Sequence, residues 1–149
     1  MGQQQLLLLV LTIVIVTIAV FIGIDLFDKS SQRQHVDELV RYSVDIASDA
    51  IAWREKKSPY LGGGGSYEQL GTGTDGLEKF LISSNRPPGQ LAIEESTKST
   101  LTIVGISTSY PKLGVRMQVD GFDIVSTETY LNNEICDGSS VASEICPSS

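Results

Sequence analysis

Transition-metal chemistry has little to work with in this chain. It holds one histidine, His35, and two cysteines, too few for a zinc site of four Cys/His ligands. Positive charge is scarce as well. Eleven Lys and Arg against 18 Asp and Glu leave a formal charge of −7, and a nucleic-acid face needs clustered basic residues, so no nucleic-acid partner is expected. The glycine-rich stretches 62–66 and 71–76 lack the Gly-Lys-Ser/Thr ending of a phosphate loop. Nor do they have the strand before and helix after that a dinucleotide fingerprint requires, so they read as a flexible surface connection. What remains is globular in composition, 41% hydrophobic and 19% charged, with 149 residues for one domain and an appendage.

The most informative absence is local. Residues 6–24 (LLLLVLTIVIVTIAVFIGI) carry no charge, and as a helix these 19 residues would span about 28 Å, close to the hydrocarbon thickness of a bilayer. No Lys or Arg precedes the run, and Asp25 and Asp28 follow it, which favours a retained membrane helix over a removed signal segment. Lys29 and Arg33 alone would place the following residues in the cytoplasm. The cysteines point the other way. Cys136 and Cys146 form a minimal pair spaced C-x9-C in a polar tail, which reads as a disulfide made in an oxidising compartment. Such a bridge would stabilise the fold by roughly 2–3 kcal/mol; the alternative is two free cytosolic thiols.

Glycine and proline are missing from residues 24–58, so the helical signal continues past the apolar run. Val36, Val40, Ser43/Val44, Ala47, Ala50/Ile51 and Arg54 recur at three and four, with charged residues between them. Val36, Val40, Ala47 and Ile51 are expected to pack this helix on a sheet, with Trp53, Tyr42 and Tyr60 beside them. Ser30-Ser31 could mark a break, and Pro59 supplies the stop. Beyond Gln90 the period changes to two. Residues 101–109, 113–119 and 122–129 predict a three-stranded antiparallel meander, with Asp120-Gly121 as a hairpin turn and 91–95 as a fourth strand. The layout is α+β: residues 1–29 a membrane helix, 30–58 its amphipathic continuation, and 59–149 a head. Within the head, 61–90 is a Gly-rich loop, 91–129 the sheet and 130–149 a polar tail with the disulfide.

An apolar N-terminal helix, its amphipathic continuation, a glycine-rich loop, an antiparallel sheet and a C-terminal Cys–Cys loop together resemble a type IV pilin. If Met1 is the first mature residue, Gln5 stands where that family has an early glutamate. The resemblance implies a divergent pilin-like or pseudopilin-like subunit that waits in the inner membrane. The pilus assembly machinery would then polymerise it with copies of itself into a cell-surface filament. Gln5, Leu6, Leu9, Ile13, Val14, Val16, Val20 and Phe21 would form the filament core. The alternative is a membrane-anchored extracytoplasmic binding or assembly domain, such as a pseudopilin of a secretion system. Neither reading uses an enzyme activity or a cofactor: His35 has no Ser, Cys or Asp partner arranged for nucleophilic catalysis. Asp120/Asp123 and Glu134/Asp137 lack the spacing of a calcium loop.

Overall fold

The computed structural model describes residues 2–57, 62–79, 85–131, 135 and 145–146. The chain divides into two units, Met1–Gln34 and His35–Ser149. One helix, α1 (Gly2–Glu55), runs through the boundary, so Ser30-Ser31 makes no break. Pro59 and Tyr60 lie outside the described residues.

In the first unit α1 is exposed on every side from residue 2 to residue 30. The two hydroxyls of residues 6–24 are satisfied within the helix: Thr12 Oγ1 donates to the Leu8 carbonyl and Thr17 Oγ1 to that of Ile13, both at 2.7 Å. Back-bonding of this kind leaves no side-chain hydroxyl of the run without a partner, a condition of residence in lipid.

In the second unit the rest of α1 covers one face of a five-stranded antiparallel sheet of order β1-β2-β3-β4-β5. The strands are β1 (Asn85–Arg86), β2 (Gly89–Ser96), β3 (Thr100–Ser107), β4 (Gly114–Asp120) and β5 (Asp123–Tyr130). The four long strands fall where the alternation of two predicts them; β1 is an addition. It is too short to carry a periodicity of its own. Gly121, at φ +64°, turns β4 into β5, a left-handed position that favours glycine.

The helix meets the sheet through Leu39, Ser43, Ile46, Ala47 and Ala50, all buried. Of the residues expected to pack here, Ala47 lies in the main cluster, Val40 and Ile51 are partly buried against it, and Val36 is half-buried outside it. Leu39 fits a notch of small residues: a Cβ on Gly89 would come within 2.8 Å of its Cδ1, and one on Gly105 within 3.5 Å. The facing sheet residues are Leu91, Ile93, Leu101, Ile103, Val115, Met117 and Val119. Trp53 and Tyr42 pack at the edge of the same cluster.

The glycine-rich segment is not the flexible connection that its composition suggests. Gly62 and Gly63 are buried, and Tyr67, Leu70 and, in the short helix α2 (Asp75–Glu78), Leu77 all join the core. The backbone N–H groups of Gly63, Gly64 and Gly65 donate to the carbonyls of Trp53, Lys56 and Arg54 at 2.9–3.0 Å. The end of a helix leaves carbonyls without partners, and this loop supplies donors for them. Glycine is required because the approach is close: a Cβ on Gly63 would lie 2.2 Å from the Ser66 carbonyl oxygen and 2.4 Å from the Trp53 ring. We expect Gly63→Ala to lower stability by about 1–3 kcal/mol, the usual range for overpacking, with Trp53 fluorescence reporting the transition in denaturant. An unchanged midpoint would mean the loop yields freely.

Candidate functional site

Function can be sought at four places: the exposed apolar helix, the loops at the end of α1, the outer sheet face and the edge strand. On the first, Leu6, Leu9, Ile13, Val16 and Val20 share one stripe of α1 by helical spacing, while Val14 and Phe21 lie on another. All of these, and Gln5, are exposed, Phe21 to 69%. The run thus presents apolar surface all round. By length and composition α1 is able to cross a membrane.

The end of α1 is tied to the β4–β5 turn by one side chain. Arg54 Nε donates to the Gly65 carbonyl at 2.9 Å and Nη1 to that of Gly121 at 2.6 Å. Its guanidinium lies over the rings of Tyr67, 5.0 Å away, and Phe122, 4.9 Å away. Tyr67 is fully buried, and its hydroxyl donates to the same Gly121 carbonyl at 2.8 Å. Burial raises the Tyr67 pKa above 10.0, with Arg54 opposing. A raised folded pKa favours the neutral phenol. Its stabilisation is therefore complete below the unfolded value of 10.0 and is lost as pH rises through the higher folded value. Melting temperatures should fall more steeply between pH 9 and 11 in the parent than in Tyr67→Phe (roughly the window above the phenol's ordinary pKa). Parallel curves would show that Tyr67 ionises freely.

The outer face of the sheet is half apolar. Ala92, Val104 and Ile106 are covered by Ile135 and Ile145 from the C-terminal tail, and Ile135 lies so close over Gly114 that a Cβ there would be 2.3 Å from its Cδ1. The tail is thus not simply polar, and β3 is buried on both faces. Cys146 packs against this cluster and is not a free thiol; Cys136 lies outside the described residues. The signal for this contact is a repeated triplet, Glu-Ile-Cys at 134–136 and again at 144–146, which sets an isoleucine before each cysteine.

The rest of that face is polar. A bulge between Ile93 and Glu95 leaves Glu94 without a cross-strand partner. Its carboxylate accepts hydrogen bonds from Arg116 Nε at 2.8 Å and Nη2 at 2.9 Å. Arg116 Nη1 reaches the Tyr130 hydroxyl at 3.1 Å, and that hydroxyl donates to Glu128. Partial burial works against the Arg116 charge, but the bonds and charge of Glu94 outweigh it and hold the guanidinium above its ordinary pKa. A half-exposed bidentate pair of this kind fixes geometry more than it adds stability.

Among the described residues no three His, Cys, Asp or Glu converge on one point. His35 packs against Tyr110, ring centres 5.1 Å apart and planes tilted by 57°, and among the described residues no hydrogen bond reaches its buried Nδ1. The chain matches no family model, no curated protein and no solved structure.

Proposed function

We propose that the chain is the structural subunit of a type IV pilus-like filament, held in the membrane by residues 6–24 and polymerised through them. The observation that supports this most is the exposure of the whole apolar run on a helix whose continuation is built into a folded head. In lipid such a helix is satisfied by acyl chains. Transfer from lipid to protein is near neutral for Leu, Ile and Val, so close packing between copies decides whether it leaves. Transfer into water is prohibitive, at roughly 1.5–3 kcal/mol for each leucine-class side chain. Neighbouring copies are therefore the fitting replacement for lipid, and one repeated heterologous contact gives an open helical polymer. Gln5, just before the run, would lie among the helix starts of neighbouring copies. Its amide accepts a hydrogen bond from an ammonium group without cancelling the charge.

Electron microscopy of intact cells of the source organism, with gold-labelled antibody to the head, tests this reading. Labelled filaments are expected. Label confined to the envelope would favour the second reading, a membrane-anchored extracytoplasmic domain.

The proposal includes a bridge between Cys136 and Cys146. The seating of Ile145 and Ile135 in one cluster supports it, because the two residues directly precede the two cysteines. Peptide mapping of protein from its own envelope, without reductant, should recover the two cysteine peptides joined. Recovery of two free thiols would remove both the bridge and the oxidising compartment.

A further inference from the structure

The sheet has two edges, and the chain treats them differently. On one side β1 is two residues long and is followed by Pro87 and Pro88. Farther along, Gly73 exchanges backbone hydrogen bonds with Ile93 of β2, and Ser96 Oγ donates to the Gly71 carbonyl. That edge is short, carries proline and is overlaid by a loop, the devices by which proteins keep edges from pairing. On the other side β5 is eight residues long and pairs only with β4 among the described residues. It contains no proline, lysine or arginine.

β5 is also open to solvent. Six of its eight residues are exposed, and Phe122, Val125 and Leu131 in and around it are each about 60% exposed. Its side chains alternate. Thr127 and Thr129 share the face of Met117 and Val115, while Ser126, Glu128 and Tyr130 share that of Gln118 and Arg116. The charge is of one sign. Arg116 is the last basic residue of the chain, and six acids follow, with Asp120, Asp123 and Glu128 on or beside this strand. The basic groups nearest by contact are both engaged, Arg54 with Gly121 and Gly65 and Arg116 with Glu94.

We propose that the free edge of β5 is a docking site for an extended, basic segment of a partner protein, which adds to the sheet as a further strand. Backbone N–H and C=O groups along the edge supply the pairing. Alternating side chains supply the choice: apolar or Thr residues on the side of Thr127 and Thr129, Lys or Arg opposite Asp123 and Glu128. A second copy of β5 fits poorly because it brings the same acids and no base. This inference does not rest on polymerisation.

The test uses the full chain in lipid nanodiscs and three labelled nonapeptides. One alternates Lys and Thr with Val; the second carries Glu for Lys; the third is the lysine peptide with proline at its centre. The lysine peptide should bind, the glutamate peptide should not, and proline should abolish binding. Asp123→Lys/Glu128→Lys should reverse the preference between the first two by roughly tenfold, the scale set by two cross-strand charge pairs. In the parent, hydrogen exchange should slow at the amides of 124–130 when the lysine peptide is added. The proposal is overturned if the parent binds no peptide or the proline peptide binds equally well. It is equally overturned if the double variant keeps the parent's preference or binds neither peptide, if β5 gains no exchange protection, or if heads pair through β5 instead.

Discussion

Val14→Asp is expected to eliminate filaments without unfolding the head. The substitution puts a carboxylate in the middle of the uncharged run, on an exposed helix face. Insertion scales place the cost of a charge at the centre of a membrane helix at about 2.5–3.5 kcal/mol. The proposed polymer would offer the charge no better home, since the residues around position 14 are Thr12, Ile13, Ile15 and Val16. An uncompensated buried charge is costly there too, and no cation of the run is available to pair with it. The head has its own core, drawn from His35–Ser149, so it should fold in the Val14→Asp chain and also in a chain beginning at Ser30. Filament counts per cell should fall to background while the head gives an unchanged melting curve. Normal filaments from Val14→Asp would show that this segment is not the polymer core.

Leu39→Ala should be the most damaging single truncation on the head-side half of the helix. Leu39 has no exposed surface, and its Cδ1 sits in the notch left by Gly89 and Gly105 beside Leu91. Backbone glycines cannot repack into the space, so the cavity should persist. Buried leucine-to-alanine changes cost about 2–5 kcal/mol, rising with the volume left empty. Val36→Ala, half-buried and outside the main cluster, should cost well under half as much. Urea unfolding of the chain beginning at Ser30 measures both. Equal losses at the two positions would show that Val36 belongs to the main contact.

That comparison also shows where sequence reading succeeded. The period of 3.6 located the amphipathic helix and took in Ser43, Ala47 and Ala50, but not Leu39 and Ile46, which lie on the neighbouring row of the same cylinder. Which row faces the sheet depends on the notch at Gly89 and Gly105, a tertiary feature that no helical pattern records. The strands were legible because Leu113, Val115, Met117 and Val119 alternate with polar partners over a clear turn at Asp120-Gly121. The glycine loop was misread because composition reports freedom of the unfolded chain. Close approach to Trp53 and Lys56 is the opposite use of a missing Cβ. The covered outer face was missed because two isolated isoleucines in a polar tail have no periodicity, and only the repeated Glu-Ile-Cys marks them. The apolar run was fully legible as a sequence of membrane length, since charge and length alone define it. The proposed filament requires, in addition, contacts between the runs of neighbouring copies.

Those contacts can be measured directly. A photo-activated benzophenone side chain placed at Ile13, and separately at Phe21, would be illuminated in material sheared from the cell surface. The account predicts covalent dimers whose linked peptides both come from residues 6–24 of two copies. Cross-links to lipid alone, in material that stays with the membrane, would contradict it and leave residues 6–24 as a single-span anchor.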